Sequence, residues 1–133
     1  MNKQYDAMAL LGRVLLSLIF VISGAKKIAT FAGTVGYIAS KGLPAAEILT
    51  ALTICVELGG GLLLLIGLKA RWAALALAIF TILAAVLIHN FWTMTGPEAM
   101  SNQIHFMKNL SIAGGMLMVV AFGPGRFGID KAA

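Results

Sequence analysis

The sequence has a single cysteine, Cys55, only three prolines, two histidines and five acidic residues in 133 positions. One cysteine excludes an internal disulfide, and without a C-x-x-C pair there is no thiol exchange, which removes disulfide-forming and vitamin-K-epoxide-type enzymes from consideration. Charged residues are scarce, at 11% against 60% hydrophobic. A soluble domain of this length could not bury so much apolar surface, so the surplus must face lipid. Basic stripes are missing too. The net charge of +5 comes from ten Lys and Arg residues scattered in ones and twos around apolar runs, which reads as membrane-flank charge and excludes nucleic acid as a partner. No convincing repeat of 20 to 50 residues and no low-complexity segment occurs. The N-terminal text MNKQYDAM leads into an apolar run without a small-residue cleavage site, so the first run is expected to be retained.

What is present is four apolar runs, and with a mean hydropathy of +0.96 they predict an all-α fold, an integral membrane four-helix bundle forming a single domain over residues 1–133. The spans are placed at about 7–25, 45–68, 71–91 and 104–123. Residues 28–44, with Gly33, Gly36, Gly42 and Pro44, read as an ordered, partly interfacial loop that could include a short amphipathic turn. Gly96-Pro97 reads as a helix break, and Gly123-Pro124-Gly125 as the end of the fourth span. Gly59, Gly60 and Gly61 in the second span and Gly114-Gly115 in the fourth would allow close helix approach. Five flanking cations (Lys3, Lys69, Arg71, Arg126, Lys131) lie on the side of the termini, against three (Lys26, Lys27, Lys41) on the other. The positive-inside rule then favours cytoplasmic termini.

Polar side chains at membrane depth are costly unless they meet a partner, water or a ligand, so they are the site candidates. At about 1.5 Å per residue, Arg13 lies roughly 9 Å from its boundary and Glu57 roughly 16 to 18 Å from the opposite one, depths that nearly coincide. The two are therefore expected to face one another, either as a packing salt bridge or at the base of a ligand cavity where the carboxylate handles a proton. On the fourth span His105, Lys108 and Asn109 share one face, and His89, Asn90, Phe91 and Trp92 reach the same membrane surface from the third. Together they predict a polar, aromatic-rimmed mouth suited to a quinone-like or phenolic headgroup; taken singly, each satisfies interfacial water or snorkels. The two histidines lack metal-ligand spacing, so no metal is expected. Cys55 reads as an inert buried thiol.

Arg13, SGAKKI at the end of the first run, VELGGG in the second, HNFWTMTG after the third and HFMKNLSIAGG opening the fourth resemble the DoxX family of small bacterial inner-membrane proteins. The resemblance covers nearly the whole chain. It implies a four-helix protein of the bacterial inner membrane, with relatives associated with quinone-coupled sulfur oxidation or redox-stress complexes. It marks Arg13, Lys27, Glu57, Asn90, Trp92, Lys108 and Asn109 for test.

The expected function is a redox-linked membrane subunit that binds a quinone or similar lipophilic molecule, has no intrinsic cofactor, and works with a redox protein partner. Ligand contacts fall to Arg13, Glu57, Lys108, Asn109, His105, Asn90, Trp92 and Lys27, and homo-oligomerisation is open. Catalysis by this chain alone is doubtful for want of a redox thiol pair or cofactor motif. The rivals are a small proton-coupled transporter, disfavoured by an arginine near the depth of the carboxylate, and a structural or assembly subunit built on the glycine faces.

Overall fold

The computed structural model describes residues 2–131. Helix α1 runs from Lys3 to Ala29, its N-terminus capped by the Asn2 side chain, which accepts from the Gln4 amide at 3.4 Å. A single residue, Thr30, separates it from α2, Phe31–Ser40. The second span is built in three pieces without a break: α3 (Ala46–Ile54), a π-helical turn (Cys55–Gly60) and α4 (Gly61–Ile66). After the Gly67–Lys69 turn come α5, Ala70–Leu87, a 3-10 turn at Phe91–Thr93, and α6, Gly96–Phe122. Four helical stretches, Lys3–Ala29, Ala46–Ile66, Ala70–Thr93 and Gly96–Phe122, are long and apolar enough to cross a bilayer. The chain is thus an all-helical, four-span membrane protein.

Small residues decide how closely the spans pack. The inward face of α5 is Ala70, Ala73, Ala74, Leu77, Ala78, Thr81 and Ala85, all buried at helical spacing, and α6 lies along this face. Gly24 in α1 touches the second span so closely that a Cβ there would sit 2.8 Å from the Leu58 amide nitrogen. Gly61 meets Phe20 and Val21 in the same way, and Gly115 meets Leu16. Of the expected glycine contacts, Gly60, Gly61 and Gly115 face neighbours, whereas Gly59 and Gly114 face open space. Most large apolar side chains point outward, among them Leu11, Leu15, Ile79, Leu83 and Leu117, as a lipid-solvated bundle requires.

Three expectations are corrected here. The 28–44 segment is mainly helix: Gly33 and Gly36 sit inside α2 with open space around them, since at a membrane surface an unbonded backbone costs more than a glycine in a helix. Gly96-Pro97 starts α6 rather than ending a helix, eight residues ahead of the expected boundary at 104; a proline in the first turn loses no helical hydrogen bond. Cys55, expected as a buried thiol, lies exposed on the outer surface.

Candidate functional site

The ends of the bundle differ in chemistry. At the end that holds the termini, Arg13 is buried, and its Nη1 donates to the Leu64 and Leu65 carbonyls at 3.1 and 2.8 Å while Nη2 donates to the Phe127 carbonyl at 3.2 Å. The Leu64 and Leu65 carbonyls lie in the last turn of α4, where the helix dipole also favours a cation. The C-terminal segment closes the clasp. Ile129 and Asp130 donate their amides to the Ile66 and Gly67 carbonyls at 3.1 and 2.8 Å. The Asp130 carboxylate accepts from the Lys69 and Ala70 amides at 2.8 Å each, capping α5. Gly67, at φ 72°, leaves no room for a side chain, because a Cβ would lie 2.5 Å from both Arg13 Nη1 and the Gly128 Cα.

Arg13 and Glu57 therefore do not meet. Helix α1 extends to Ala29, four residues beyond the expected boundary, so Lys27 is still helical and its stem reaches the second span. Lys27 Nζ donates to Glu57 Oε1 at 2.8 Å and to Ser23 Oγ at 2.7 Å. Arg13 instead projects toward the terminal end, where α4 stops at Ile66.

Glu57 is 4% exposed and sits in the π-helical turn, a local widening that recurs at functional sites. Its Oε2 is buried without a hydrogen-bond partner. Glu57 and Lys27 border a cavity of about 490 Å³ in the half of the bundle remote from the termini. Its walls are mainly apolar, with Phe20, Val56, Phe80 and Ile112 among them, and α2 covers it with Thr34, Tyr37 and Ile38. Polar groups reach it from each span: Ser23, Thr53, Thr81, His89 and Asn109. The Thr81 hydroxyl is buried and unpartnered, and Asn109 Nδ2 lies 3.4 Å from the Thr81 carbonyl.

At the mouth, His89 Nδ1 is 2.9 Å from Asn102 Oδ1, and its ring stacks on His105 at a centroid separation of 5.0 Å. Phe91, Trp92 and Phe106 form an edge-to-face cluster beside it. Of the residues singled out in the sequence, the structure gathers Lys27, Glu57 and Asn109 around the cavity. Trp92 and His105 belong to the mouth, where Asn90 has a buried, unpartnered Oδ1. Lys108 lies outside, exposed on a shallow surface groove of α6 with Gln103 and Ser111, and Arg13 belongs to the clasp. Sequence reasoning missed Thr81, the one hydroxyl in α5, and Asn102, hidden by reading residues 97–103 as a loop. Among the described residues, no three His, Cys, Asp or Glu side chains are grouped to hold a metal ion.

The family model for DoxX matches residues 8–90, from the first turns of α1 to just beyond α5, and so takes in Lys27, Glu57, Thr81 and His89. The chain belongs to the DoxX family. It is 39% identical over 131 residues to the inner membrane protein YqjF of Escherichia coli (strain K12), covering 98% of this chain and 95% of that protein. It is 36% identical over 122 residues to the inner membrane protein YphA of the same organism, covering 92% and 87%. Against CatD of Bacillus subtilis (strain 168), provisionally named an oxidoreductase, it is 32% identical over 87 residues, 65% of this chain and 63% of that one. No solved structure gives a significant match. The cavity of this DoxX protein lies mostly within the family-matched segment, with α6 adding Asn109 and Ile112 from outside it.

Proposed function

We propose that this protein is a redox-linked subunit of the bacterial inner membrane that binds a quinone or a similar lipophilic ring compound in the cavity beneath α2. The observation that carries the reading is Glu57 Oε2, buried without a partner on the wall of an otherwise apolar cavity of about 490 Å³. A buried carboxylate oxygen left unpaired is costly, and an apolar pocket with a few convergent polar groups suits a ring with polar substituents. Lys27 and Glu57 hold the polar head from one side, with Thr81 and His89 bordering the same space, while Phe20, Val56 and Phe80 cover the ring. Glu57 is placed to accept a proton from the bound molecule. Electrons pass to or from a redox protein partner, a role in keeping with the name given to CatD.

The pairing of Glu57 with Lys27 disfavours a proton-coupled transporter, in which the carboxylate must be free to trade a proton for a cation. The reading is tested by purifying the protein in native nanodiscs and quantifying copurified benzo-, ubi- and menaquinones by mass spectrometry. Wild type is expected to enrich one of them over the bulk lipid extract. Thr53→Phe, which fills the cavity but spares the ion pair, and Lys27→Met are expected to lose it while remaining folded. No enrichment, together with no binding of added quinones, would reject the proposal.

A further inference from the structure

The cavity's hydrogen-bonding groups are unevenly matched, and the imbalance specifies the head that fits. The Glu57 carboxylate, ion-paired with Lys27, has no proton to give, so its free Oε2 is purely an acceptor. The tautomer of His89 follows from its neighbour. Asn102 Nδ2 donates to the Glu98 carbonyl at 3.0 Å, which fixes the amide orientation and turns Oδ1 toward His89 Nδ1 at 2.9 Å. Oδ1 can only accept, so Nδ1 carries the hydrogen, and in the neutral ring Nε2 is left with a bare lone pair, on a ring that borders the cavity. Lys27, after serving Ser23 and Glu57, retains another N–H.

A carbonyl oxygen can satisfy Lys27 but is repelled by Glu57 Oε2. A hydroxyl accepts from Lys27 and donates to Glu57. Resting on the cavity reading above, we infer that the site is selective for a hydroxyl-bearing ring, a hydroquinone or phenol, over the corresponding quinone or ether. Glu57 is the group that imposes the choice, and Asn102 is a positioning residue that keeps His89 an acceptor. Hydrogen bonds to charged groups set the scale, corresponding to a preference of about tenfold or more.

The test is equilibrium binding to the protein in nanodiscs under anaerobic conditions, corrected for lipid partitioning. The probes are decylubiquinol against decylubiquinone, and 4-hexylphenol against its methyl ether, a pair that removes the donor without redox chemistry. Wild type is expected to favour the hydroxyl member of each pair. Glu57→Gln keeps an oxygen for Lys27 and turns an N–H toward the cavity, so it should erase or invert the preference and bind decylubiquinone more tightly. Asn102→Leu frees His89 to shift its proton, and should narrow the preference several-fold while decylubiquinone still binds; it provides the test if Glu57→Gln does not fold. Equal binding of both members, or tighter binding of quinone and ether, overturns the selectivity but leaves the cavity reading intact. Failure of all four probes to bind overturns both.

Discussion

At the scale of single residues, two cations of α1, buried Arg13 and half-buried Lys27, divide the labour. Arg13, 2% exposed, directs its guanidinium at three carbonyls and at no carboxylate, so its work is to tie α1 to the end of α4 and to the C-terminal segment. Arg13→Ala should therefore lower stability by about 2–4 kcal/mol, since it strips a charged donor from buried carbonyls. Cavity binding should be unchanged in the fraction that stays folded. Detergent-titration unfolding with parallel ligand binding checks this, and a variant of wild-type stability that has lost binding would return Arg13 to the site. Both Arg13 and Glu57 stood out in the sequence because charges at membrane depth are rare. Which partner each one takes did not, because pairing depends on where each helix begins and ends. A few residues' extension of α1 was enough to give Glu57 to Lys27.

At the scale of elements, the four spans were legible because apolar runs of about 20 residues have no other stable home. Their boundaries were not, because glycine and proline were weighed as they act in water. Proline at the start of α6 and two glycines within α2 obey the membrane's demand for a bonded backbone instead. The π-helical turn around Glu57 left no signature beyond the glycines that follow it.

The C-terminal clasp was equally hidden, since a short polar tail gives no periodic signal. Asp130 carries its pH dependence. Amide donation from Ala70, then Lys69, holds the Asp130 carboxyl below its usual 3.8. A group whose pKa is lower when folded stabilises fully above its unfolded value and loses that contribution as pH falls through the folded one. The stability gap between wild type and Asp130→Asn should accordingly be constant around neutrality and close below about pH 4. Thermal melts in one detergent across that range measure it. A gap that instead widened on acidification would remove the carboxylate from the clasp.

At the scale of the whole molecule, the bundle is closed at one end by backbone and Arg13, and hollow toward the other beneath α2. Which compartment the hollow half faces then sets the side from which a redox partner approaches. By the positive-inside rule, five flanking cations on the terminal side against three on the other predict the clasped end in the cytoplasm and the cavity in the periplasmic half. Cysteine labelling decides the matter, because Cys55→Ala leaves a cysteine-free chain. In that background, Thr95→Cys, exposed at the mouth, should react with a membrane-impermeant maleimide on intact spheroplasts. Lys3→Cys, exposed at the clasped end, should react only after permeabilisation. The reverse pattern would move the cavity to the cytoplasmic leaflet, draw protons for Glu57 from the inside, and require a cytoplasmic partner. The expected pattern puts ligand exchange and the α2 cover on the outer face, where a partner would have to be periplasmic or itself membrane-bound.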